Sequence, residues 1–271
     1  MADTVLYELS DGLATVTINR PEAMNALDTP TKVALRDAMI TAKEDPAVRA
    51  VLLTGAGPRA FCVGQDLKEH LGKLAAAKDP STKNTGEAPL STVRDHYNPL
   101  LTAIATMAKP VVAAVNGVAA GAGAGLAWAC DFRIIADHSG FNTSFAGVAL
   151  TADSGVSWTL PRLVGQAKAV ELLMFPQTVP AADALALGLA HRVVPAAELA
   201  ETAREFAAGL AAGPTVAFGA IKESLAFGTG HTLVETLGKE DELQTRAGAA
   251  EDHWIAVQAF VAKEAPKYVG R

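Results

Sequence analysis

The run Gly121-Ala122-Gly123-Ala124-Gly125 follows the apolar segment Val111-Val112-Ala113-Ala114-Val115 and the break Asn116-Gly117. Glycine and alanine leave backbone N–H groups free of side-chain bulk where a buried helix would open, and there the unpaired amides and the helix dipole favour negative charge. A second turn, Ala60-Phe61-Cys62-Val63-Gly64-Gln65-Asp66-Leu67, follows the earlier apolar run Val51-Leu52-Leu53 and can set another N–H beside the first. Two converging amides form a hole for a developing oxyanion; taken singly, each segment reads more simply as a packing turn. The glycine run is not GxGxxG, and no adequate acidic residue follows a second strand in the way a dinucleotide site requires. Six histidines, His70, His96, His138, His191, His231 and His253, show no HExxH or paired ligand spacing, so a metal site has no support. Ser154 precedes Gly155, but Ala152-Asp153 does not complete a GxSxG elbow, which disfavours a serine hydrolase. Asp153 itself, taken alone, reads as a turn or helix-cap carboxylate.

Strands and helices must hold these turns. Alternation through Leu13-Ala14-Thr15-Val16-Thr17-Ile18 predicts a half-buried strand, with Val5 and Tyr7 in its hairpin partner across Asp11-Gly12. Asp28-Thr29-Pro30 predicts a capped helix to about Glu44 with Val33, Ala38 and Met39 as its buried stripe. Residues 51–53, 111–115 and 132–135 read as buried strands, so strands alternating with helices predict α/β layers. Residues 73–88 read as a surface insertion without confident structure. Beyond Pro195, residues 198–212, 215–226, 232–246 and 252–263 are helical in pattern, and a helical appendage too thin to bury its own apolar faces predicts a homo-oligomer.

The 271 residues are 50% hydrophobic and 19% charged, which excludes a disordered chain. A net charge of −6 offers no basic field for nucleic acid or an anionic membrane. Residues 111–130 carry no charge and are long enough to span a bilayer, but Ala and Gly dominate them, so a buried strand and helix explain them better. Cys62 and Cys130, far apart in sequence, suit a reducing compartment, and the N-terminus lacks a secretory pattern; a cytoplasmic protein is expected.

Over nearly its whole length the chain resembles the enoyl-CoA hydratase/isomerase (crotonase) superfamily. The resemblance rests on Asn19-Arg20-Pro21 with Asn25-Ala26-Leu27, the 60–67 turn, Lys109-Pro110 through Asn116-Gly117, Cys130-Asp131, and Leu160-Pro161-Arg162-Leu163-Val164-Gly165. It implies an α/β fold: a crotonase-like spiral of ββα units forming an acyl-CoA-binding core over residues 1–195, and an all-helical C-terminal oligomerisation region over 196–271. It further implies an acyl-CoA thioester substrate, no cofactor beyond the CoA that is part of that substrate, and a homotrimer or dimer of trimers. Motif matching puts the two oxyanion amides at Gln65 and Ala122. Substrate contacts are implied at Ala26, Val63, Gln65, Asp66, Leu67, Lys68, Ala122 and Phe145, with Lys263 toward a CoA phosphate.

The sequence departs from the hydratase pattern where chemistry is decided. The middle residue of the glycine triplet is Ala122, which keeps its N–H. The two glutamates with which hydratases position and split water fall at Gly125 and Phe145, and neither side chain transfers a proton. Asp153 remains, and the segment is similar to ring-1,2-epoxyphenylacetyl-CoA isomerase-type members that carry an aspartate here. A dehalogenase branch also has an aspartate at this place, but its tryptophan partner position is Phe145. The resemblance therefore implies an acyl-CoA isomerase acting through an enolate, with Asp153 as base in an apolar site near Phe145, Val148 and Leu150. An enoyl-CoA hydratase-like enzyme of other specificity and a non-catalytic acyl-CoA binder are the alternatives.

Overall fold

The computed structural model describes residues 3–78, 88 and 90–271. It opens on the expected hairpin: β1 (Val5–Ser10) pairs antiparallel with β2 (Leu13–Ile18), and Asp11 and Gly12, at φ 51° and 80°, form the two-residue turn. Positive φ at both central residues matches the twist of the flanking strands. α1 (Thr29–Glu44) is capped by Asp28, whose carboxylate accepts the Thr31 N–H at 2.9 Å. Its buried face is Thr31, Lys32, Leu35, Met39 and Ala42, while Val33 and Ala38 are only half-buried. Met39 lies in the buried face as expected, but that face is rotated so that a lysine lies within it.

Three successive units then repeat one plan. β3 (Ala50–Gly55) and β4 (Ala60–Cys62) precede α2 (Leu67–Lys78); after α3 (Asn98–Thr106), β5 (Val111–Val115) and β6 (Val118–Ala120) precede α4 (Ala122–Ala129); β7 (Phe132–Ala136) and β8 (Gly140–Asn142) precede α5 (Val156–Val164) and α6 (Gln166–Met174). The first strand of each pair enters one sheet and the second enters another. With β9 (Val179–Pro180), α7 (Ala181–Ala186) and β10 (Arg192–Val194) added, the sheets run β1-β2-β3-β5-β7-β10 and β4-β6-β8-β9. β3, β5 and β7 are parallel neighbours, as are β4, β6 and β8, so the chain climbs as a spiral of ββα turns.

α2 extends through Lys78, so the expected absence of structure from residue 73 is corrected; residues 79–87 lie outside the described residues. An i,i+4 ion pair between Lys73 and Glu69 at 2.8 Å and the helix-favouring Ala75-Ala76-Ala77 account for the extension.

After Pro195 come α8 (Leu199–Ala211), α9 (Thr215–Gly228), α10 (Leu233–Gly248) and α11 (Glu251–Ala262). They divide in role. α8 lays Leu199, Ala203, Ala207 and Ala211 on the large sheet against Leu52, Val112, Ala114 and Ile134. Alanine at every fourth position makes that approach close. α10 and α11 instead leave Leu233, Val234, Leu237, Trp254, Phe260 and Val261 exposed. Among the described residues no helix is long and apolar enough to cross a membrane, so residues 111–130 resolve into β5, β6 and α4.

Candidate active site

The turn after β4 and the first turn of α4 are in direct contact. Gly64 sits at φ +81°, and a Cβ there would lie 2.9 Å from the Ala120 carbonyl oxygen and 3.0 Å from the Ala122 nitrogen. Gly121 adopts φ 52° and ψ −123°, a conformation for glycine, and its N–H donates to the Asn142 carbonyl at 2.9 Å. A Cβ on Gly123 would collide with the Cys62 carbonyl, so α4 presses on β4 without side chains between them. The amides flanking Gln65 are used in a bridge to Leu27: the Leu27 N–H donates to the Gly64 carbonyl at 2.8 Å and the Asp66 N–H to the Leu27 carbonyl at 3.1 Å. The Gln65 and Ala122 N–H groups, on these adjoining turns, have no acceptor among the described residues. That leaves both free for an anionic oxygen.

Asp153 lies between β8 and α5. α5 is capped by Gly155 without any side-chain bond, so the Asp153 carboxylate is not its cap. One carboxylate oxygen accepts the Ser154 hydroxyl at 2.8 Å. Burial pushes the carboxyl above the ordinary aspartate value, partly offset by that hydroxyl and by the Lys32 ammonium. A carboxylate raised in this way and otherwise uncommitted is suited to moving protons near neutrality.

Gly125 and Phe145, the two positions the resemblance matches to hydratase glutamates, are closed. A Cβ on Gly125 would lie 2.8 Å from Cβ and the carbonyl of Ser154, so a larger residue would force α4 away from the start of α5. Phe145 is 7% exposed and belongs to the main apolar core. An apolar cavity of about 630 Å³ lies between α2 and the 145–153 loop, lined by Leu67, Leu71, Leu74, Val148 and Leu150 with His70 at its wall. Its lining comes within two residues of Gln65, at Leu67, and within three of Asp153, at Leu150.

Sequence reasoning missed a buried polar cluster here. Lys32 is fully buried, and its Nζ donates to Gln65 Oε1 at 3.0 Å and to Thr92 Oγ1 at 2.7 Å. The Tyr97 hydroxyl donates to the same Gln65 oxygen at 3.0 Å, and Lys32 Nζ stands 5.5 Å from the Tyr97 ring centroid. The available signal was a lysine at 32 in register with Leu35, Met39 and Ala42.

The remaining expected contacts are placed as follows. Ala26 is buried, and its carbonyl accepts from Arg20 Nη1. Asp66 spends its side chain on structure: it pairs with Arg20 at 3.0 Å and accepts the Lys68 and Glu69 amides, capping α2. Burial alone would raise its carboxyl; Arg20 and those amides bring it below the usual range. Val63 is half-buried, and Leu67 and Lys68 are exposed at the start of α2. Lys263 is an exposed residue at φ 58° just past α11. Burial pushes the Cys62 and Cys130 thiols up to about 12, so neither supplies a thiolate nucleophile at neutral pH. No group of three metal-ligating side chains occurs among the described residues.

Comparison with known proteins agrees with this architecture. Residues 8–271 match the family described as Enoyl-CoA hydratase/isomerase. A Rhodobacter capsulatus protein named "Probable enoyl-CoA hydratase" is 40% identical over 99% of this chain and 98% of its own. The 1,2-epoxyphenylacetyl-CoA isomerase of Escherichia coli is 37% identical over the whole of both chains. A crystal structure of the enoyl-CoA hydratase/isomerase type from Mycobacterium abscessus superposes with a TM-score of 0.91 at 43% identity, covering 98% of this chain and 100% of that one. With the spiral of ββα turns, the free amides on its adjoining turns and a match over all but the first seven residues, the chain belongs to the enoyl-CoA hydratase/isomerase family.

Proposed function

We propose that the protein is an acyl-CoA isomerase that shifts a double bond, or rearranges a ring, through a thioester enolate. The Gln65 and Ala122 amides hold the thioester oxygen as charge develops, and Asp153 takes a proton from the acyl chain and returns it elsewhere. The observation that carries this reading is a raised, uncapped carboxylate at Asp153 with Gly125 packed shut on Ser154. The apolar cavity supports an apolar acyl group, and the similarity to an isomerase at 37% identity supports the reaction class. CoA arrives as part of the substrate and no other cofactor is needed. Incubating the protein with unsaturated and aromatic acyl-CoA esters in deuterium oxide, followed by mass and absorbance, tests the reading. Deuterium entering the acyl chain with movement of the double bond or ring supports it; bound ester without exchange identifies a non-catalytic binder instead.

Hydration of a short trans-2-enoyl-CoA should be very slow, because Gly125 and Phe145 cannot activate water. Turnover at ordinary hydratase rates, read as loss of the enoyl absorbance, would restore the hydratase alternative.

The assembly we propose is a homotrimer or dimer of trimers in the cytoplasm, with no nucleic-acid or membrane partner. Its support is the C-terminal face, where Leu233 is 73%, Trp254 65% and Phe260 85% exposed, more apolar surface than a monomer usually leaves in water. Sedimentation at micromolar concentration should give a species of three or six chains. A stable monomer there would remove this part of the proposal.

A further inference from the structure

A buried ammonium is costly unless it is paired, and Lys32 makes no ion pair among the described residues. Asp153 feels its charge but makes no ion pair with it, and the other carboxylates around it are engaged elsewhere. Asp28 and Asp66 hold Arg20, and Glu69 holds Lys73 and the Thr29 amide. The acceptors Lys32 does have, Gln65 Oε1 and Thr92 Oγ1, are neutral. Burial accordingly pushes the ammonium below the usual lysine range, with Glu69, Asp28 and Asp66 opposing the shift. For packing alone, a methionine would fill the same volume at less cost.

The geometry of this cluster is directed at one residue. Gln65 Oε1 receives two hydrogen bonds, from Lys32 on α1 and from Tyr97 ahead of α3, while the Leu27 bridge holds the backbone on either side of Gln65. Side chain and backbone are thereby fixed from three elements, and the Gln65 N–H is the one amide left over. We propose that Lys32 and Tyr97 are positioning residues, a buried clamp on the Gln65 side chain that holds its N–H in line with that of Ala122, with the Lys32 charge adding to the field felt by the enolate oxygen. Donors fixed before reaction stabilise charge without reorganising, and small displacements of them are expensive in rate. The clamp acts on the charged species, so its loss falls on turnover and spares ground-state affinity.

This inference rests on the enolate reading, and one experiment separates the two. Deuterium exchange into a saturated acyl-CoA is measured for the parent, Lys32→Met, Tyr97→Phe and the double variant, with ester affinity from calorimetry and thermal stability alongside. We expect Lys32→Met to lose roughly tenfold to a hundredfold in exchange rate with affinity changed less than about threefold. Tyr97→Phe should lose less. The double variant should lose less than the product of the single losses, because both groups act through the same oxygen. Tyr97→Phe removes only one hydroxyl, so it carries the test if Lys32→Met does not fold. Variants exchanging at the parent rate, or losing affinity and rate equally, overturn the clamp. A parent that exchanges nothing overturns the enolate reading and the clamp with it.

Discussion

Replacing Asp153 by asparagine should slow isomerisation roughly a hundredfold to ten-thousandfold, the usual range for losing a general base, and leave affinity for the CoA ester nearly unchanged. Asparagine keeps the shape and can still accept the Ser154 hydroxyl, but it cannot take a proton; the amides proposed to hold the thioester oxygen belong to the backbone of Gln65 and Ala122 and survive. The pH dependence gives an independent reading. Burial raises the Asp153 pKa, so the base form is present above that raised value and is lost as pH falls through it. The acidic limb of the parent's rate profile should lie above that of an exposed aspartate and disappear in the variant. Stability should move the other way. A carboxyl whose pKa is higher folded than unfolded holds its proton more tightly in the native state, so its contribution is favourable at low pH and is lost as pH rises through the raised value. Near neutrality the charged group therefore costs stability, and Asp153→Asn should melt no lower than the parent. A variant isomerising at the parent's rate would reduce Asp153 to a turn residue; one melting well below it would mean the carboxylate is structural.

The periodic elements were open to sequence reasoning because their signals are local. Period-2 alternation located β2, a capping aspartate with a following proline located α1, and the apolar runs located β3, β5 and β7. The strands of the second sheet are three residues or fewer, too short for any period to register, so the spiral came from resemblance and not from pattern. In the site, the glycines announced close backbone approach and Asp153 stood out as the acid left near the vacated glutamate positions. What stayed hidden depends on long-range contact. Lys32, Gln65 and Thr92 meet across separations of 33 and 60 residues. The packing of Gly125 on Ser154 likewise exists only once α4 and α5 are assembled. The buried stripe of α1 is rotated from the expected Val33, Ala38 and Met39 and takes in Lys32, which only the assembled packing of the helix reveals.

The same close approach makes Gly64→Ala the most informative backbone change. Alanine there meets two separate obstacles. The left-handed conformation at φ +81° costs an L-residue about 1–2 kcal/mol. The methyl carbon would also stand 2.9 Å from the Ala120 oxygen and 3.0 Å from the Ala122 nitrogen, both backbone atoms that cannot rotate away. Relief requires the β4–α2 turn and the first turn of α4 to separate, and these are the turns that carry the Gln65 and Ala122 amides. Misplacing one oxyanion donor costs on the order of a hundredfold to a thousandfold in rate, so isomerisation should fall by about that much. Gly188→Ala distinguishes clash from strain: its φ is +76°, but an added Cβ would meet only the Leu163 carbonyl at an ordinary 3.8 Å. Both variants should lose comparable stability from the left-handed backbone, and only Gly64→Ala should lose the rate. If Gly64→Ala instead isomerises as fast as Gly188→Ala, the two turns do not have to touch for catalysis, and the oxyanion must be held by groups other than these amides.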